Sequence, residues 1–340
     1  MANLRANSIV GVGSTNAGIV FDGATKIKTQ NYFYLQTGNT ENRFPNFAGV
    51  DATSARGLFG GGTAPGADNR IDYVTISSTG NAIDFGDLTG TRFTLGACAS
   101  AVRGVFAGGY TPGPSNTIDF VTISSTGNAQ DFGDFIGSDA RRVSGCSSST
   151  RGIFGPYEVP PTTVNTISYI TIATQSIVID FGDSTQSRYL TGSCSSTVRG
   201  VMAGGVTPSL SNVIDYITIA TTSNALDFGD LTAARQGPPA GCSSSTRGLF
   251  GTGYEASAVN NIDYITIAST GNSQDFGDAT TARNQASAAS SKIRGLFAGG
   301  STNIIDYVTI ATTGNAQDFG DLTASRSSLA GCSNGHGGLG

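Results

Sequence analysis

Arg294-Gly295-Leu296-Phe297-Ala298-Gly299-Gly300 is the stretch that decides the fold, because near-copies of it recur along the chain. Arg56, Arg103, Arg151, Arg199, Arg247 and Arg294 each open one, at spacings of 47, 48, 48, 48 and 47 residues. An aliphatic residue and then Phe follow each Arg-Gly, with Met202 in the fourth copy. An Ile-Asp-Tyr beat keeps the same interval from Ile71, Ile118, Ile167, Ile214, Ile262 and Ile305, reading Ile167-Ser168-Tyr169 in the third copy. Asp-Phe-Gly-Asp is unchanged from Asp84, Asp131, Asp180, Asp227, Asp275 and Asp318. Self-similarity at a fixed period of about 20 to 50 residues marks a solenoid, propeller or array.

Within a unit the local patterns are those of strands. From Arg235 the chain reads as a strand through Ala240-Gly241-Cys242, a Ser-Ser-Ser-Thr turn, and a second strand from Arg247 to Gly251. A variable loop, a third strand from Asn261 to Ile267, a turn at Thr270-Gly271-Asn272 and a fourth strand ending at Asp278 complete it. Ile265 and Ile267 alternate with Tyr and Thr at the period of two of a strand. Thr-Gly-Asn triplets around Gly80, Gly127, Gly271 and Gly314 supply residues that tolerate positive φ in tight turns. With 48 glycines, no Trp and no window of helical periodicity, the expectation is an all-β chain of four short antiparallel strands per unit.

The net charge of −5 gives no basic field for phosphate backbones, so nucleic acid is not an expected partner. No run approaches the about 18 apolar residues of a membrane span, and Met1 to Val12 lacks the apolar core of a signal peptide. Synthesis and folding in a cytoplasm are expected. Cys98, Cys146, Cys194 and Cys242 recur every 48 residues, with Cys332 in the equivalent place of the last copy. One cysteine per unit points to small buried thiols beside glycine. With no Cys-x-x-Cys and a single histidine, His336, neither a metal nor a cofactor is expected.

The order of Arg, small-residue strand, aliphatic strand ending Gly299-Gly300, then Tyr307, resembles the kelch repeat over residues 43 to 340. In that family each repeat is one four-stranded blade of a β-propeller. Phe85, Phe132, Phe181, Phe228, Phe276 and Phe319 stand where the family carries Trp, and the double glycine is broken at Gly155-Pro156 and Gly251-Thr252. These departures leave the expected fold standing and count against a link to the eukaryotic adaptors that use kelch domains, whose extra domains are not expected here. Met1-Ala2-Asn3-Leu4-Arg5-Ala6-Asn7 and Gly18-Ile19-Val20-Phe21-Asp22-Gly23, together with the repeat units, resemble structural proteins of tailed bacteriophages, marine cyanophages in particular.

Counting units from Arg43 gives six through Leu322, and Arg326 to Ser333 then reads as the first strand of a seventh. The expected fold is therefore a kelch-like propeller of seven four-stranded blades, closed by pairing of N- and C-terminal strands, with residues 18 to 36 supplying the missing partners. Six blades with residues 1–42 as a separate segment or virion-attachment arm is the alternative.

Two sets of side chains stand out. An Arg lies eight residues after the first Asp of Asp-Phe-Gly-Asp in five copies: Asp84 and Arg92, Asp180 and Arg188, Asp227 and Arg235, Asp275 and Arg283, Asp318 and Arg326. Arg141 and Arg142 are displaced in the remaining copy. Repetition in every unit predicts Asp–Arg pairing that ties blades together, since bidentate pairs are rigid and directional. The second set lies in the loops between second and third strands, which vary while the Ser-Ser-Ser-Thr turns do not. Tyr110, Tyr157, Glu158, Tyr254 and Glu255 are the expected binding residues, on one rim of the disc.

No Ser-His-acid set and no pair of rim carboxylates within one unit is apparent, so the chain reads as non-enzymatic. The phage resemblance implies a virion protein, assembled in the host cytoplasm as a homo-oligomer with other tail or capsid proteins as partners. A tail-associated structural or host-recognition role, with a host-surface glycan or protein as receptor, is the first reading. A capsid decoration protein and a polysaccharide-degrading tail enzyme are the alternatives.

Overall fold

The computed structural model describes residues 55–135, 140–175, 177–237 and 240–339, together with the backbone of Tyr32–Thr37 and Thr40–Pro45. The chain divides into two compact units, Met1–Gly49 and Val50–Gly340. In the first, Tyr32–Thr37 and Thr40–Pro45 form an antiparallel hairpin. The second is built from six four-stranded antiparallel sheets whose innermost strands contact one another in a closed ring. It is an all-β propeller of six blades.

Blades II to V each use four consecutive main strands. Blade II, for example, runs Gly96–Ala99, Arg103–Ala107, Thr117–Thr122 and Gln130–Asp134 from the axis outward. Blade VI ends on Gln317–Arg326. Blade I takes Arg56–Gly60, Arg70–Thr75 and Ile83–Asp87 from the start of the repeat, and its innermost strand is Ala330–Ser333 from the end of the chain. This corrects the expected count of seven. The strand that opens a seventh unit in the sequence pairs back onto the first unit, so six units and one displaced strand make six blades. Closure needs no N-terminal strand beyond the first unit. Tyr32–Thr37 is paired with its own hairpin partner, and residues 18–31 lie outside the described residues. Closing the ring covers the two sheet edges an open array would expose.

Successive blades are tied at four radii, and each recurring motif belongs to one tie. Nearest the axis, Ser147 Oγ donates to Ala99 O and accepts from Ala99 N–H in the preceding blade, at 2.8 and 3.1 Å. Ser195, Ser243, Ser290 and Ser333 repeat the donation to the blade before, at 2.5 to 2.9 Å. These hydroxyls satisfy backbone groups on the free edges of five of the six innermost strands. One residue earlier, the buried thiols pack across the boundary. A Cβ on Gly152 would lie 2.5 Å from Cys98 Sγ, and Gly200, Gly248 and Gly295 face Cys146, Cys194 and Cys242 in the same way. The Arg-Gly pair is thus glycine because sulfur needs the space. All five cysteines are free and buried, and burial pushes the thiols of Cys146, Cys242 and Cys332 up to about 12.

At middle radius lie buried ion pairs. Farther out, the Arg of each Arg-Gly sits over the Tyr or Phe of its own blade, as Arg199 over Tyr216 at 4.4 Å, and donates to a carbonyl of the next blade, Ile267 O at 2.9 Å. The same aromatic meets the Asp-Phe-Gly-Asp phenylalanine edge-on, Tyr216 and Phe228 being 5.9 Å apart. At the rim, the Thr-Gly-Asn turn of one blade covers the outer strand of the blade before it. Gly127 N–H donates to Phe85 O, and Asp87 N–H to Asn128 Oδ1. A Cβ on Gly86, whose φ is +141°, would come within 2.5 Å of Gly127 O, so the invariant glycine is set by backbone approach.

Candidate functional site

The loops between second and third strands and the crossovers from one blade to the next share one end of the propeller, the loop face. The buried ion pairs lie just beneath it. Arg92, on the crossover into blade II, donates to Asp119 at 2.5 Å, and Asp119 also accepts from the backbone and hydroxyl of Thr89. Arg188–Asp215, Arg235–Asp263, Arg283–Asp306 and Arg326–Asp72 repeat the pair at 2.6 to 3.0 Å. The partner is therefore the Asp of Ile-Asp-Tyr. Asp84, Asp180, Asp227, Asp275 and Asp318, expected to hold these arginines, are instead exposed on the outer strands. The arginines do link blade to crossover, with side chains at most 3% exposed. Burial lowers the pKa of Arg92, Arg188, Arg283 and Arg326, and the facing carboxylate opposes that shift.

One boundary departs. Between blades II and III the arginine position is Ala140 and the aspartate position is Ser168, so both charges are lost together. Tyr157 fills the space: it is 5% exposed, its hydroxyl lies 3.2 Å from Ser168 Oγ, and its ring lies 5.6 Å from that of Phe135. Burial raises its phenol pKa, with the Ser168 hydrogen bond opposing. Tyr157 is thus a core residue and not the rim anchor its loop position implies.

The same departure frees Arg141 and Arg142 from the buried slot. They meet Glu158, itself 9% exposed, with Arg141 Nη2 on Oε1 at 2.6 Å and Arg142 Nη1 on Oε2 at 2.8 Å. Arg141 lies over Tyr110 at 5.4 Å, and Arg142 over Tyr189 at 4.8 Å. Tyr110 is half-buried and also meets Phe93 edge-on. The hydrogen bond to Glu158 raises the pKa of Arg141, against the effect of its partial burial. Tyr110, Arg141, Glu158, Arg142 and Tyr189 therefore form one array across blades II, III and IV. Tyr254 and Glu255 are half-buried in blade V and lie outside it. Sequence reading missed Arg142 and Tyr189, although Ser168 and the displaced Arg141-Arg142 pair were both visible; their common cause was the signal.

At the axis the loop face narrows to a small cavity of about 20 Å³ lined by Arg142, Thr94, Leu190, Thr191 and Ser328 among others. Thr94, Arg142, Leu190, Gln285 and Ser328 occupy equivalent places around this mouth, and all hold positive φ of 55 to 56°. Beneath it, chambers of about 60 and 40 Å³ follow the axis between the innermost strands. The opposite mouth is closed by the tail. Asn334 Oδ1 accepts from Arg56 N–H, and His336 inserts with Nε2 2.9 Å from Ala99 O and 3.2 Å from Ser147 Oγ. Neither Gly337 nor Gly338 has room for a Cβ against the carbonyls of Ser244 and Ser147. Among the described residues no group of three or more His, Cys, Asp or Glu is placed to hold a metal. Compared with known protein families and with curated proteins, the chain matches none.

Proposed function

We propose that the chain is a non-enzymatic recognition module of a tailed-phage virion, carried on the tail, with its loop face directed at a host-surface glycan. The observation that carries recognition is the departure at blade III. The one boundary that gives up the repeat's ion pair is the one that places two arginines, a glutamate and two flanking tyrosines on the loop face. Local exceptions to a rule that the rest of a fold obeys mark sites kept for function. Rigidity supports the same reading, since ties at several radii between successive blades hold the loops at fixed spacing and lower the ordering cost of binding. The virion assignment rests on the resemblance of Met1 to Asn7, Gly18 to Gly23 and the repeat units to phage structural proteins.

Mass spectrometry and immunogold imaging of purified particles test the location, and absence from the particle overturns it. Competition tests recognition. Purified protein should slow phage adsorption to host cells, and an Arg141→Gln, Arg142→Gln double variant of unchanged melting temperature should not. Equal competition by both proteins overturns the site.

A further inference from the structure

We propose that the array at blade III is a carboxylate-binding subsite that takes the acid group of a uronic-acid saccharide. This rests on the recognition reading and names its ligand chemistry. Arg141 and Arg142 share the single carboxylate of Glu158, so the three side chains carry one positive charge in excess. Both guanidiniums are held before any ligand arrives. The positive φ of Arg142, 56°, turns its side chain to Tyr189 while Arg141 lies over Tyr110.

Arg142 donates to Glu158 through Nη1 alone. Its Nε and Nη2, the edge that grips a carboxylate with two parallel hydrogen bonds, have no acceptor among the described residues. Arg142 is also one of the residues around the mouth cavity, with Thr94 and Ser328, and Thr94 Oγ1 is buried without a partner among the described residues. An unpaired buried hydroxyl is destabilising, and an incoming oxygen would supply its missing partner. The mouth cavity, about 20 Å³, has room for about one ligand oxygen, and the planar Nε–Nη2 edge of Arg142 matches the two oxygens of a planar carboxylate. Leu190, half-buried at the rim of the same mouth, offers an apolar contact to the C–H face of a pyranose ring lying on the loop face.

Calorimetric titration of the full chain at low ionic strength with digalacturonate, its dimethyl ester and neutral maltose tests the proposal. Digalacturonate should bind, and the ester and maltose should bind at least about tenfold more weakly, as loss of a bidentate charged pair implies. Arg142→Gln and Arg142→Lys should each lose about the same factor, since lysine keeps the charge and lacks the fork. Thr94→Val should lose a smaller factor. Melting curves confirm that each variant is folded, and Arg142→Lys serves if the Gln variant is not. Equal binding of acid and ester, or unchanged binding by folded Arg142 variants, overturns the carboxylate subsite and leaves adsorption competition to judge recognition. Failure of wild-type protein to bind digalacturonate overturns it as well.

Discussion

Arg188 Nη2 donates to Asp215 Oδ2 at 2.8 Å with both side chains wholly withdrawn from solvent. Nη1 of the same arginine donates to Val213 O at 2.6 Å, while the Thr185 N–H shares Oδ2 and the Thr185 hydroxyl donates to Oδ1. Removing one partner strands a buried charge, which costs about 3 to 5 kcal/mol. Asp215→Ala should therefore lower stability by that amount in urea denaturation. Asp227→Ala, in the more conspicuous Asp-Phe-Gly-Asp, should stay within about 0.5 kcal/mol of wild type, because Asp227 is exposed and holds no arginine. Equal losses at the two positions would contradict the assignment of the partner.

Blade III makes a less intuitive case. Ser168→Asp restores the residue found at the other five boundaries, yet it should destabilise by about 3 kcal/mol or more, because Ala140 offers no guanidinium and Tyr157 occupies the space. Thermal denaturation of this variant beside Ser168→Ala checks the point. A gain in stability from Ser168→Asp would mean that Arg141 or Arg142 can still reach the buried slot.

The belt of serines nearest the axis has a gap. Ala99 stands at the position of Ser147, Ser195, Ser243, Ser290 and Ser333, so no hydroxyl from blade II reaches the edge of Ser333 in blade I. Ala99→Ser should add the missing hydrogen bond and raise stability by about 1 kcal/mol. Ser195→Ala, which opens a second gap, should lower it by about 1 to 3 kcal/mol through an unpaired buried carbonyl. Denaturant midpoints of the two variants should move in opposite directions.

How far the sequence disclosed this arrangement depended on whether a pattern was local. The four strands per unit were legible because alternation around Ile265 and the Thr-Gly-Asn turns act over a few residues. Blade number was not, since nothing within Arg326 to Ser333 says whether that strand starts a new sheet or pairs back to Arg56–Gly60. Spacing could not choose the partner of Arg188 either. Asp180 and Asp215 repeat with the same period, and only the packing of one blade on the next buries Asp215 and leaves Asp180 in water. The rim tyrosines failed for a related reason: Tyr157 looks like Tyr110 in sequence, and its burial follows from losses at Ala140 and Ser168, 17 residues before and 11 after.

His336 gives the propeller a pH dependence at its plugged end. Nδ1 accepts the Gly338 N–H at 3.1 Å, so the proton of the neutral ring lies on Nε2, which donates to Ala99 O. The ring is half-buried against the innermost strands, and desolvation lowers its pKa below the ordinary 6.5, with the Ala99 hydrogen bond opposing. Protonation would set an N–H on Nδ1 against the Gly338 N–H, and among the described residues no Asp or Glu lines the chamber to take up the charge. A depressed folded-state value means that the unfolded or undocked tail binds the proton first as pH falls. The stabilising contribution is complete above about pH 6.5 and is lost as pH drops through the folded value. Wild type should accordingly lose melting temperature between pH 7 and pH 5 more steeply than His336→Gln, which keeps a donor and cannot titrate. Protection of the Gly338 and Leu339 amides, relative to their intrinsic exchange rates, should fall over the same range in wild type alone. Parallel melting curves for the two proteins would show that the plug does not respond to pH.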